Sequence, residues 1–115
     1  MQVWGVTTLY SNRKGLSREE EEQLGVRHVP ISTLLAESDI ITLHCPLTPD
    51  TRHLLNSETF SQCKKGVFII NTSRGAVIDE RALVQALESG QVKRVGLDVF
   101  ERDFFSLKDN TKVLF

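Results

Sequence analysis

Hydrophobic positions along the 115-residue chain fall into short runs separated by amphipathic or turn-forming stretches. Residues 3–10 are β-branched and aromatic and predict a strand that ends at Ser11 and Asn12. Ser17, with Glu20 three residues on, forms a capping box ahead of a short acidic helix that stops near Gly25. Residues 26–29 predict a brief strand ended by Pro30, and Ser32 is expected to cap a second helix over Leu34, Leu35 and Ala36. Residues 39–45 form a continuous apolar run, the pattern of a strand buried on both faces of a parallel sheet. A loop with Pro46 and Pro49 leads to a helix over residues 57–63 and a strand over 67–71. A helix over 79–89 ended by Gly90, a strand over 94–99 and a last strand over 112–115 complete the series. Strands alternating with helices of about ten residues predict an α/β fold built on a parallel, doubly wound sheet.

Sheets of that kind gather ligands at the carboxyl ends of their strands. The residues just beyond each predicted strand are Ser11 to Lys14, His44 to Thr48, Asn71 to Gly75 and Asp98 to Glu101. All four groups are polar or turn-forming and fall on one sheet edge, as the lining of a ligand cleft would. Within them Arg74 stands out, at the mouth of a strand and the start of a helix-like run. A cation is electrostatically awkward at the positive end of a helix. The placement makes sense if a carboxylate or polarised carbonyl arrives there, gripped by the planar fork of a guanidinium. Gly75 lets the backbone turn closely behind it.

Asp98 ends an apolar strand, where a carboxylate is costly to bury unless hydrogen-bonded. It serves either as a cap or ion-pair partner, or as the acceptor for an amide such as a nicotinamide carboxamide. His44 is a candidate acid or base, but a histidine inside an apolar run is more often a satisfied core residue and is expected to be one here, while His28 and His53 belong to no constellation. Ser11, Asn12, Arg13 and Lys14 stand where dinucleotide folds place an acid for the adenine ribose. They suit a 2′-phosphate, or they form a plain exposed basic turn.

Composition narrows the class. Charged residues make up 25% of the chain and its formal net charge is -1, so no nucleic acid or anionic membrane is expected as the main partner. Cys45 and Cys63 are isolated thiols without CxxC spacing, which suits a reducing, cytoplasm-like compartment. No targeting peptide is expected, because Met1 leads straight into a strand-like segment. The longest apolar runs are too short to span a bilayer as a helix.

Three long motifs occur in order. The first runs from Ser38 and Asp39 through Leu43, His44, Cys45, Pro46, Leu47 and Thr48, with Thr51 beyond. The second runs from Lys65 and Gly66 through Ile70, Asn71, Thr72, Ser73, Arg74 and Gly75 to Asp79. The third is Val95, Gly96, Leu97, Asp98, Val99, Phe100 and Glu101. Together they resemble the NAD(P)-binding domain of the D-isomer-specific 2-hydroxyacid dehydrogenases, and the turn after Tyr10 is similar to that of the glyoxylate and hydroxypyruvate reductases within the family. The resemblance implies a Rossmann-like domain that exchanges hydride between a nicotinamide cofactor and a small 2-oxoacid or 2-hydroxyacid. It implies that Arg74 holds the substrate carboxylate and carbonyl, that Asp98 contacts nicotinamide, and that Cys45, Pro46, Thr51, Thr72 and Ser73 line the cofactor. With Ser11, Asn12, Arg13 and Lys14 it favours NADP(H), with NAD(H) as the other candidate. Asp103 stands where the family's catalytic glutamate lies, one methylene shorter and without the usual following proline.

The departures are large. The sequence contains no G-x-G-x-x-G loop and no Pro-His pair. The expectation is therefore a partial domain over residues 1–115, missing the first strand of the 3-2-1-4-5-6 order and the family's substrate domain. Such a chain is expected to be inactive alone, or to serve as a non-catalytic, corepressor-like module that binds a dinucleotide or a partner. It is also expected to associate through exposed strand edges, as a homodimer or with another chain.

Overall fold

A computed structural model describes residues 5–101 and the backbone of 113–114. Among the described residues, six parallel strands and four helices follow in the order β1 (Thr8–Tyr10), α1 (Arg18–Leu24), β2 (Val26–His28), α2 (Ile31–Glu37), β3 (Ile40–Leu43), α3 (Ser57–Gln62), β4 (Val67–Asn71), α4 (Glu80–Ser89), β5 (Val92–Leu97) and β6 (Val113–Leu114). The strands form two sheets: β1 pairs with β2, and the second follows the order β3-β4-β5-β6. Every pair is parallel. The α/β, Rossmann-like class is as the sequence predicts, and the sheet is partial.

Local chemistry accounts for most boundaries. Ser17 and Glu20 close the expected capping box, and the Ser17 amide, then its hydroxyl, donating to the carboxylate hold the Glu20 carboxyl below its ordinary range. Gly25 ends α1 at φ 66°, a left-handed conformation that costs glycine little. Asp79 caps α4 by accepting from the amides of Arg81 and Ala82. Helix α2 departs from expectation. It starts at Ile31 with Pro30 as its cap residue and no side-chain cap, so Ser32 lies inside the first turn. A proline preset near the helical φ starts a helix as well as a hydroxyl does. Strand β5 begins at Val92, earlier than hydropathy suggests, because Lys93 and Arg94 extend from the exposed face of the ladder. Of the residues predicted to be terminal strands, 3–4, 112 and 115 lie outside the described residues.

Leu35, Phe60, Ala82, Leu83 and Ala86 of the helices cover one face of the larger sheet, burying Ile41, Leu43, Val67, Ile69, Val92, Val95 and Leu97. The other face is open among the described residues. Ile40 is 62% exposed and Ile70 41%, so β3 alternates out and in and is not buried on both faces. Strands β1 and β3 do not pair, so among the described residues β3 has a ladder only on its β4 side.

Cys63 packs in this core and donates weakly to the carbonyl of Thr59. Burial pushes its thiol from the ordinary 9.0 up to about 11. The folded chain therefore keeps a proton that the unfolded chain releases. Its contribution to stability is full below about pH 9 and is lost as pH rises through about 11. Urea unfolding across that interval should show stability falling more steeply in the unmodified chain than in Cys63→Ala, and equal slopes would refute the assignment.

Candidate active site

Strands β3, β4 and β5 end at one level, since Leu43 pairs with Asn71 and Asn71 with Leu97. His44, Thr72 and Asp98 are thus the first residues beyond a common edge. Asn71 is completely buried and organises the turn that follows it. Its side-chain amide donates to the carbonyl of Arg74 (2.9 Å), while its Oδ1 accepts from the backbone amide (3.0 Å) and hydroxyl (2.8 Å) of Ser73. A side-chain amide carries two donor hydrogens and one carbonyl oxygen, and this turn engages both ends of it.

Arg74 emerges from that turn exposed, its guanidinium donating to the carbonyl of Ser73 (2.8 Å). It precedes a single 3-10 turn, Gly75–Val77, and α4 starts only at Glu80 behind the Asp79 cap. The helix-dipole argument for Arg74 therefore falls away, because a three-residue turn carries little dipole. What remains is a solvent-facing fork of donors at the sheet edge. Thr72 is exposed and Ser73 half-buried.

Asp98 is exposed, not buried, with its backbone amide donating to the carbonyl of Asn71 (3.1 Å). No burial cost needs offsetting there, and the carboxylate is open to solvent beside Thr72. His44 also departs from expectation. Strand β3 ends at Leu43, so His44 is exposed, its Nε2 meeting the hydroxyl of Thr42 at 2.9 Å.

The loop after β3 is stiffened from within. Thr51 Oγ1 donates to the carbonyl of Pro46 (2.6 Å) and accepts from the amide of Thr48 (2.8 Å). The Thr51 hydroxyl thus shapes the loop on which half-buried Cys45 and exposed Pro46 stand. The Ser11 to Lys14 turn belongs to the smaller sheet, yet Arg13 reaches Asp50 across the gap (2.8 Å). That turn is anchored by Tyr10, whose hydroxyl accepts from the amide of Leu16 (2.6 Å) and donates to Glu21 (2.7 Å). Desolvation, then the Glu21 carboxylate, raises the Tyr10 hydroxyl above its ordinary value. All four polar groups expected on one edge are thereby accounted for, three on the larger sheet and one tied to it by an ion pair. Asp103 lies outside the described residues.

Sequence reasoning missed one constellation. His53 was expected to stand alone, but its Nε2 meets Glu101 Oε2 at 2.9 Å, and Arg52 meets Oε1 of the same carboxylate at 2.8 Å. These partners are almost fifty residues apart in the chain, so no local pattern could reveal them. Among the described residues no cluster of metal-ligating side chains occurs, and no helix is long and apolar enough to cross a membrane.

The family model for the D-isomer specific 2-hydroxyacid dehydrogenase NAD binding domain matches residues 1–114. The chain belongs to that family. It is 50% identical over 91 residues to D-lactate dehydrogenase of Escherichia coli, a match that covers 76% of this chain and 28% of the relative. Its fold overlays a glyoxylate reductase from Paecilomyes thermophila with TM-score 0.85 at 40% identity, over 98% of this chain and 35% of the other. It overlays a D-lactate dehydrogenase from Aquifex aeolicus, solved with NAD and lactic acid, with TM-score 0.80 at 40% identity, over 87% of this chain and 29% of that one. The chain thus spans about 28% of the length of the curated relative it matches.

The turn makes its own prediction. Asn71→Ala takes the acceptor from the Ser73 amide and leaves the Arg74 carbonyl with the Val77 amide as donor, and leaving a polar group unsatisfied costs about 1–3 kcal/mol. Urea unfolding should register a loss of that size, whereas a change within about 0.5 kcal/mol, as for ordinary surface substitutions, would show that the turn stands without it.

Proposed function

We propose that this chain is part of an NAD(P)-dependent oxidoreductase acting on a D-2-hydroxyacid or its 2-oxoacid, glyoxylate and hydroxypyruvate among the candidates. The observation that carries the reading is an exposed guanidinium, Arg74, on the turn that buried Asn71 organises after β4, at the sheet edge where exposed Asp98 follows β5. The cofactor fits this donor set at its two ends. Asp98 would accept from a nicotinamide carboxamide, and Ser11, Asn12, Arg13 and Lys14 would take the adenine ribose, with a 2′-phosphate favoured over a free hydroxyl. Cys45, Pro46, Thr51, Thr72 and Ser73 would line the span between them. When bound, the nicotinamide supplies hydride chemistry, and the protein supplies orientation and electrostatics. Arg74 would grip the substrate carboxylate and draw electron density toward the carbonyl oxygen. Asp103 is placed by resemblance in the acid–base relay, and a cytoplasm-like compartment is the one that unpaired thiols suit.

The chain contains no Pro-His pair and no glycine-rich loop. Loss of a positioned proton donor typically lowers rate by about 10²–10⁴-fold. The 115-residue polypeptide should therefore show negligible reduction of glyoxylate or hydroxypyruvate, while binding NADPH more tightly than NADH. Arg13→Ala with Lys14→Ala should abolish that preference. Equal affinities in the unchanged chain, or turnover within tenfold of a full-length relative, would overturn this reading.

The exposed edge of β3 supports a second expectation, since unpaired apolar strands invite another chain. Sedimentation should detect self-association. A monomer that unfolds in one steep urea transition would show that edge to be harmless.

A further inference from the structure

We infer that Glu101, with Arg52 and His53, forms a clasp that positions the Arg74 turn, so that Glu101 is a positioning residue for the substrate's carboxylate. The inference rests on the proposed role of Arg74 and extends it to residues that approach no ligand themselves. Three independent features converge on the clasp. The first is the carboxylate itself, whose side chain is only 18% exposed and which meets Arg52 Nη2 at 2.8 Å and His53 Nε2 at 2.9 Å. A half-sequestered carboxylate with two such donors is held far more firmly than a rim ion pair.

The second is the backbone of His53. Its φ is 51°, and it is the sole non-glycine residue with positive φ among those described. Residues other than glycine occupy that region at a cost and persist there when their surroundings over-determine them. His53 is so held on three sides: its amide donates to the carbonyl of Ala76 (2.8 Å), its carbonyl accepts from Asn56 Nδ2 (2.9 Å), and its ring meets Glu101.

The third is Gly75. A Cβ built there would collide with the main chain of Phe100 and Glu101, so the segment after β5 lies directly on the residue following Arg74. The amide of Glu101 is fixed in turn by Glu80 Oε1 at 2.7 Å. Residues 53–55 are also bonded to the strip running from Ala76 to Asp79, through Leu55 to Val77 and Asp79 to Leu55. Loops from three different strands thus meet behind Arg74. The clasp sets how closely the segment after β5 presses on Gly75, and thereby the direction in which Arg74 leaves its turn.

The test uses the 115-residue chain and oxamate, a small probe carrying a carboxylate beside a carbonyl, followed through the Arg74 side-chain N–H signal. Glu101→Ala should weaken oxamate binding by roughly tenfold or more, as displacement of a binding group by a fraction of an ångström can do. Affinity for adenosine 2′,5′-bisphosphate, a probe of the Arg13 and Lys14 turn, should not change, which a general loss of folding could not produce. Glu101→Gln, which keeps an acceptor oxygen, should recover part of the loss. Gly75→Ala added to Glu101→Ala should cost little more, because both open the same contact. Unchanged oxamate affinity in Glu101→Ala, or fully additive losses, would overturn the clasp. Should the unmodified chain ignore oxamate, the reading of Arg74 falls, and the clasp is judged by the nuclear Overhauser contact between Gly75 and Phe100. Its survival in Glu101→Ala would overturn the clasp, and its loss would support it.

Discussion

The candidate site depends on one buried amide. Asn71 ends an inner strand of the larger sheet with no solvent exposure, where a polar side chain is tolerable only if it finds hydrogen-bond partners. Its amide donates to Arg74 and its oxygen accepts from Ser73, in the turn it begins. The strand is in turn fixed on both sides, by β3 and β5 in register. The rigidity of a parallel ladder is thereby passed through one side chain to the residue best equipped to grip an anion. A site on the end of such a strand is held more exactly than one on a free loop.

Much of this was legible in the sequence. Element order, parallel pairing and class follow from period and capping chemistry, and Ser17, Gly25, Asp79 and Gly90 mark helix ends where they are found. Two of the failures share a cause. His44 was expected in the core and Asp98 to be costly, because an apolar run was taken to be covered on both faces; the open face around Ile40 removes that premise. Ser32 lost its capping role to a proline two residues earlier, a choice between two competent helix starters that local pattern does not decide. The Glu101 clasp joins residues nearly fifty apart, and Gly75 looks like a turn glycine although its constraint is a neighbour's backbone. Long-range contact leaves no periodic trace.

The exposed face and edge belong to the same physics. Doubly wound sheets bury both faces because parallel strands are apolar on both. Here one face carries three helices and the other leaves Ile40 and Ile70 in water. Each isoleucine forfeits up to about 1.5–3 kcal/mol of burial, set against a total margin for a typical domain of roughly 5–15 kcal/mol. Covering that surface, by whatever chain, would recover part of that free energy.

The basic turn raises the last question, namely how a phosphate could compete with a partner already in place. Arg13 pairs with Asp50, but both side chains are about four-fifths exposed (82% and 79%). An ion pair so exposed contributes about 0–1 kcal/mol and weakens with salt. A hydrogen bond to a charged group is worth about 1.5–3 kcal/mol, and a phosphate with two cations and two neutral donors around it can make several. The exchange therefore runs toward the phosphate on the proposed reading, and Asp50 returns to water at little cost. The turn itself need not rearrange, because Tyr10 and Glu21 hold it independently of Asp50, through the amides of Leu16 and His28. Held by Tyr10 and Glu21 and only weakly by Asp50, on the proposed reading the turn trades one anion for a better one.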